Sequence, residues 1–181
     1  MTFVAAVEVI CKNILDIIFV LDESGSVGLT NFDLMKSFLS RLVAAFDIDR
    51  GNTRVGLVAY SDDIGESFNL SDHSTVSSVQ SAVTSLSYSG GLTQTDYALE
   101  YVRETMLTSD AGDRDKASNV VVVFTDGRST DSSATKVSIQ VWHNDWLGSV
   151  VTALDSRSIG HCRAATLGKL FTPLCLCHQA V

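Results

Sequence analysis

The stretch DIIFVLDESGSVG, Asp16 to Gly28, runs from a greasy, β-branched segment straight into two acids, two serines and two glycines. Leu15 to Leu21 is almost continuously apolar. That pattern suits a central strand buried on both faces of a parallel sheet, not the alternation of a half-exposed strand. The turn that follows is, by itself, most simply a strand end leading into a helix cap. Its meaning depends on what the rest of the chain brings beside it.

Past the turn the period changes. Phe32, Met35, Phe38, Leu39, Leu42, Val43 and Phe46 recur at three- and four-residue steps, which predicts an amphipathic helix capped by Thr30 or Asn31. Thr53–Ser61 (TRVGLVAYS) is a second buried-strand pattern. After the turn residues Asp62, Asp63 and Gly65, the alternating Ser67–Leu70 reads as a short hairpin partner at a sheet edge. Val76, Val79, Val83 and Leu86 mark another helix with Asp72 or Ser74 as cap, and Ala98, Leu99, Val102 and Met106 mark a third. Asn119–Gly127 (NVVVVFTDG) is again continuously apolar and again closes on an acid and a glycine. Further on, Gly148–Leu154 reads as a strand and Ala164–Phe171 as a helix, whereas Ser138–Trp146 has no clear period. The order predicts an α/β fold: a doubly wound, mostly parallel sheet with one short antiparallel edge strand and helices on both faces.

Composition narrows the function. The chain has 181 residues, 45% of them hydrophobic and 19% charged, which is enough for one domain with a proper core. A formal net charge of -8 argues against a partner made of nucleic acid, which requires basic patches to neutralise phosphates. The longest apolar candidate for a membrane span, Phe3–Leu21, is broken by Glu8, Lys12 and Asp16, so no membrane span is expected. The opening MTFVAAVEVIC does not read as a secretory signal, because no Lys or Arg precedes it and Glu8 interrupts it. Cysteines stand at 11, 162, 175 and 177, so a disulfide from Cys11 to Cys162, Cys175 or Cys177 would bracket the chain. A zinc site built from His161, Cys162, Cys175, Cys177 and His178 is the weaker alternative, because Cys175 and Cys177 are too close in sequence for the usual structural spacing.

In an open α/β sheet, ligands bind beyond the carboxyl ends of the strands, where the winding direction reverses. Two predicted strands deliver acids to that edge, Asp22 and Asp126, and the loop GGLTQT delivers Thr93. With Ser24 and Ser26 this makes an all-oxygen set, without His or Cys, suited to Mg²⁺ with Mn²⁺ or Ca²⁺ as competitors and not to zinc or copper. In a tight turn the side chains at 22, 24 and 26 can share one centre, and the neutral hydroxyls leave the ion electrophilic enough to accept an outside carboxylate.

These residues resemble a von Willebrand factor type A domain with its metal-ion-dependent adhesion site. The motif Asp-x-Ser-x-Ser stands as Asp22-Glu23-Ser24-Gly25-Ser26, the Gly-x-Thr-x-Thr loop as Gly91-Leu92-Thr93-Gln94-Thr95, and the strand-Asp-Gly motif as Asp126-Gly127. The resemblance covers about Asp16 to Thr130, and its wording is most similar to the matrilin and collagen subset of the extracellular matrix. It implies a Rossmann-like fold. It also implies that the two serines and Thr93 coordinate the metal, that Asp22 and Asp126 bind directly or through water, and that an acidic side chain of a protein ligand completes the shell. A domain over 14–158 and a divergent tail over 159–181 follow, since nothing after Ser158 matches the family's closing strand and helix.

The implied protein is a secreted, extracellular adhesion module engaging a matrix or cell-surface ligand such as collagen, and not an enzyme. The sequon Asn69-Leu70-Ser71 offers N-glycosylation at Asn69, in line with that compartment. The alternatives are an intracellular assembly module of the same fold and, further off, a Mg²⁺-dependent phosphoryl-transfer enzyme. The last would want a second acid where Ser24 stands, and the chain has no phosphate-binding Gly-x-x-x-x-Gly-Lys-Ser/Thr loop. His73, His143 and His161 occur singly and read as surface or satisfied core residues.

Overall fold

The computed structural model describes residues 14–126, 129–136, 149–153 and 165–166. Strands β1 (Leu15–Asp22), β2 (Thr53–Tyr60), β3 (Ile64–Phe68), β4 (Ser118–Phe124), β5 (Ser149–Ala153) and β6 (Ala165–Thr166) form one sheet in the order β3-β2-β1-β4-β5-β6. The four central strands run parallel, and β3 and β6 close the two sides antiparallel. The second antiparallel edge, β6, replaces part of the helix expected over Ala164–Phe171, because Ala165 and Thr166 pair with Thr152 and Val151 of β5. The rest of that segment, Ser138–Trp146, the four cysteines, His143, His161 and His178 all lie outside the described residues.

Burial explains why β1 is apolar at all but Asp16 and Asp22: all eight of its residues are buried. Ile17, Phe19 and Leu21 point to one face, with Val55, Leu57, Val120, Val122 and Phe124. Helices α1 (Gly28–Val43) and α2 (Val76–Ser85) cover that face with Phe32, Leu39, Val43, Val79 and Val83. Ile18 and Val20 point the other way, with Val58, Tyr60, Val121 and Val123, and meet Ala98, Leu99, Val102 and Met106. Each such side chain withdrawn from water is worth about 1.5–3 kcal/mol, so a polar substitution in β1 is costly on either face.

The helix ends depart from expectation in instructive ways. α1 starts at Gly28 with Val27 already helical and no side-chain cap, so neither Thr30 nor Asn31 caps it; the Asn31 amide instead donates to Val27 O at 2.7 Å. α2 is capped by Thr75 in a reciprocal pair with Ser78, not by Asp72 or Ser74. Asp72 is occupied elsewhere, its carboxylate accepting from Asn69 N at 2.7 Å. β3 begins at Ile64 and takes in Gly65, because the turn before it is closed already by Ser61 N donating to Asp63 O. The third helix, α3 (Thr95–Tyr101), runs on into a π-helical turn, Val102–Met106, which still carries Val102 and Met106 into the core.

At the amino end of β1, Asp16 is wholly buried and is held by Arg114 from the loop before β4. The guanidinium reaches Asp16 Oδ1 at 2.6 Å through Nη2 and at 2.9 Å through Nε, and it also donates to the carbonyls of Gly51, Leu15 and Asn52. The Arg114 amide donates to Asp16 Oδ2 at 2.9 Å. Removing one partner of a buried pair strands the other charge. Arg114→Ala is therefore expected to lower unfolding free energy by about 3–5 kcal/mol in a urea titration, whereas the double change Asp16→Asn, Arg114→Met costs less than the single one.

Candidate metal centre

The winding reverses between β1 and β4, which lie side by side with β2 beyond β1 and β5 beyond β4. Their carboxyl ends therefore open the crevice in which such folds hold ligands. Asp22 is the last residue of β1; β4 ends at Phe124, so Asp126 lies two residues past the strand rather than at its tip.

Three of the five expected residues form a continuous line of oxygens. Ser24 Oγ is 3.1 Å from Ser26 Oγ, and the Ser26 hydroxyl donates to Asp126 Oδ1 at 3.0 Å. Ser24 is fully buried, Ser26 is exposed and Asp126 is half-buried, so the line rises from the core to solvent at Ser26 and turns back to Asp126. Asp22 stands beneath it. Its Oδ1 accepts from Ser24 N at 2.9 Å and its Oδ2 accepts from the Thr125 hydroxyl at 2.6 Å.

Thr93 arrives on a loop tied to both limbs. Gly25 N donates to Gly91 O at 2.8 Å on one side, and Thr130 N donates to Thr93 O at 2.8 Å on the other. Thr93 N in turn donates to Thr130 Oγ1 at 3.1 Å, and Gln94 N to Ser61 O at 2.9 Å. Gly91 has φ +112, and an added Cβ would come within 2.6 Å of Asp62 Oδ2, so glycine is required there on two separate grounds. Asp62 earns that closeness by accepting from Leu92 N at 2.8 Å.

Several residues that shape the site carry no signal in their own sequence context. The Tyr88 hydroxyl donates to Ser24 O at 3.0 Å and fixes the serine turn from 64 residues away. Thr125 braces Asp22, and Thr130 and Ser129, whose hydroxyl donates to Thr93 O at 3.2 Å, brace the threonine loop. Glu23 is buried, and burial pushes its carboxyl above the ordinary range, opposed by hydrogen bonding to Ser89. The only clue to these contacts was composition, a run of hydroxyl residues in each of the loops that meet here.

The electrostatics are those of a negative site short of a positive partner. Burial raises the Asp22 carboxyl above its ordinary value of 3.8; the Ser24 and Thr125 hydrogen bonds pull it down, and the charge of Asp126 adds to the rise. Burial, then the Asp22 charge, likewise keeps the Tyr60 phenol protonated well above its usual range. Among the described residues, Asp22, Glu23 and Asp126 enter no ion pair. A hard cation would supply the missing charge. Around Mg²⁺, with oxygens at about 2.0–2.1 Å, adjacent ligands stand roughly 2.9–3.0 Å apart, close to the spacings along Ser24, Ser26 and Asp126. These hydroxyls could exchange a hydrogen-bond partner for an ion with little movement.

Two outcomes follow from this geometry alone. Gly91→Ala is expected to cost about 1–3 kcal/mol of stability through the forced φ and the displaced Asp62, measured by chemical denaturation. Without cation, the proton held by Asp22 stabilises the fold fully below 3.8, and that contribution is lost as pH rises through the raised value. Unfolding free energy measured with chelator present is therefore expected to fall more steeply with pH in the parent than in Asp22→Asn.

Comparison with known proteins agrees with the fold and the motifs. The von Willebrand factor type A domain model matches residues 16–146. The mouse collagen alpha-4(VI) chain is 42% identical over 118 residues, which is 64% of this chain and 5% of that one. Human matrilin-1 is 39% identical over 116 residues, 64% of this chain and 23% of that one, so the chain spans a small part of either relative. Among solved structures, proximal thread matrix protein 1 from the mussel byssus superimposes with a TM-score of 0.72 at 23% identity, covering 79% of this chain and 38% of that one. Another structure of that mussel protein, with a zinc occupied MIDAS motif, gives a TM-score of 0.70 at 21% identity over 79% of this chain and 38% of its own. With the sheet order, the serine turn and the family match in agreement, the chain belongs to the von Willebrand factor type A domain family.

Proposed function

We propose that the chain is a divalent-cation-dependent adhesion module in which Asp22, Ser24, Ser26, Thr93 and Asp126 hold the ion. The domain is assigned to 14–158, and of the segment 159–181 that follows, Ala165–Thr166 joins its sheet as β6. The observation that carries this reading is the oxygen line from buried Ser24 through exposed Ser26 to Asp126, above a buried carboxylate that has no cationic partner among the described residues. Mg²⁺ is the preferred ion by ligand type and spacing, with Mn²⁺ and Ca²⁺ as competitors. The zinc in the mussel protein's motif makes zinc a competitor to be tested as well, against the expectation from donor type.

The bound ion would supply a Lewis-acidic position for an oxygen ligand from outside. The chain's own residues do the rest. Ser26 and Asp126 present the ion toward solvent, Asp22 contributes charge from below, and Tyr88 and Gly91 hold the loops at fixed spacing. Exposed Leu29 and Leu92, next to the serine turn and to Thr93, give the rim apolar surface. A carboxylate of an extracellular matrix or cell-surface protein, such as collagen, is the ligand this arrangement suits, and the matrix relatives support that compartment.

Catalysis fits less well. In phosphoryl transfer on such a sheet the strand-end aspartate must attack, yet both Asp22 oxygens are engaged by Ser24 N and the Thr125 hydroxyl and the residue is wholly buried. An intracellular assembly role would use the same site, and the compartment alone separates the two.

Titration of Mg²⁺ against thermal or urea unfolding is the direct test. At an ion concentration a hundredfold above the dissociation constant, the parent is expected to gain about 2.7 kcal/mol, and Ser26→Ala and Asp126→Ala to gain little. Binding to collagen or matrilin-containing matrix should vanish with EDTA and with Asp126→Ala. Matrix binding that persists in both conditions rules out the cation site as its basis.

A further inference from the structure

The cation site leaves the sequon Asn69-Leu70-Ser71 unused, and the fold places it where a large hydrated group would matter. It follows β3, the outermost strand on its side of the sheet. The segment is a turn: Asp72 N donates to Asn69 O at 3.2 Å, and Asn69 N donates to Asp72 Oδ2 at 2.7 Å. Leu70 is buried and anchors the turn, whereas Ser71 is exposed and Asn69 half-exposed. Among the described residues the Asn69 carboxamide makes no hydrogen bond, so no native contact is lost when a group is attached to it.

We propose that Asn69 carries an N-linked oligosaccharide that shields the free edge of β3 and leaves the cation face open. The donor is a lipid-pyrophosphate-linked oligosaccharide of the secretory compartment, so the inference rests on the extracellular reading given above. Asn69 Nδ2 forms the bond to the anomeric carbon, the anomeric carbon–oxygen bond to pyrophosphate breaks, the amide releases one proton, and the lipid pyrophosphate leaves without any redox change. The hydroxyl two residues on, Ser71, completes the acceptor signal.

Position supplies the role. Phe68 pairs with Leu57, so Asn69 stands level with Gly56, four residues from the Tyr60 and Asp22 row at the metal end, or about 13 Å along the strands. Among the described residues no strand pairs with the far side of β3, which is short, carries exposed Glu66 and meets β2 with a register shift between Val58 and Tyr60. Unpaired edges invite strand addition by other chains, and a glycan at the strand's end obstructs that approach.

The test uses the full chain behind a cleavable secretion leader in mammalian cells, with peptide mapping after peptide-N-glycosidase digestion in heavy-oxygen water. Asn69 is expected to be recovered as heavy-oxygen-labelled Asp in the parent and in Ser71→Thr, and unlabelled or absent in Ser71→Ala and Asn69→Gln. Deglycosylated parent should keep its Mg²⁺-induced stabilisation and should self-associate several-fold more by light scattering. Secreted, Mg²⁺-responsive protein with unlabelled Asn69 in both parent and Ser71→Thr overturns the glycan and leaves the adhesion reading standing. Labelled Asn69 without any Mg²⁺ response does the reverse, and unchanged self-association after deglycosylation overturns the shielding role.

Discussion

A carboxylate sealed from water costs several kcal/mol unless hydrogen bonds and opposite charge replace its hydration. Asp22 is sealed in this way at the end of the central strand, and the architecture of the crevice follows from that constraint. Two donors, Ser24 N and the Thr125 hydroxyl, take up its oxygens, and the nearby Tyr60 phenol remains neutral because burial and the Asp22 charge both oppose its ionisation. The loops around it are held by backbone bonds and by Tyr88, which would set the oxygen positions in advance of an ion. A site assembled in advance loses less ordering entropy on binding, which is where much of its affinity would come from.

The same strand buries a second acid at its other end, and the contrast is informative. Asp16 is as inaccessible as Asp22, but it has a resident cation: Arg114 meets both its oxygens and ties three neighbouring carbonyls into the same clasp. That end is electrostatically complete and has no need of an outside partner. The Asp22 end has donors but no ion pair among the described residues, and its neighbours Ser26 and Asp126 turn outward. Of the two buried acids on this strand, the one that enters no ion pair among the described residues is the candidate for holding a cation.

Much of this was legible in sequence because the signals were strong and local. Unbroken apolar runs at Ile17–Leu21 and Val120–Phe124 report strands buried on both faces, and the three- and four-residue spacing of Phe32, Met35, Leu39 and Val43 reports a helix over them. The weak strand at Gly148–Leu154 was also legible, since Ser149–Ala153 is β5. What failed were features that depend on competition between neighbours. Asp72 reads as a helix cap until it is seen serving Asn69, and Ala165 and Thr166 read as helix until β5 is there to pair with them. Of the candidate site the sequence shows five residue types and not their support, because Tyr88, Thr125 and Thr130 act through distances in space that no sequence spacing encodes.

The balance of charge also bears on how such a site discriminates. A formal net charge of -8 would repel an acidic partner at long range, but at physiological ionic strength that repulsion fades beyond about 8 Å. An ion held among neutral hydroxyls and two carboxylates acts at contact distance, where screening is weakest. Attraction to a partner's acid would then be confined to the last few ångströms, after the surrounding surfaces have met. On the proposed reading, selection would fall to those surfaces, among them exposed Leu29 and Leu92 beside the crevice, and a bound ion would make the final bond to the acid they admit.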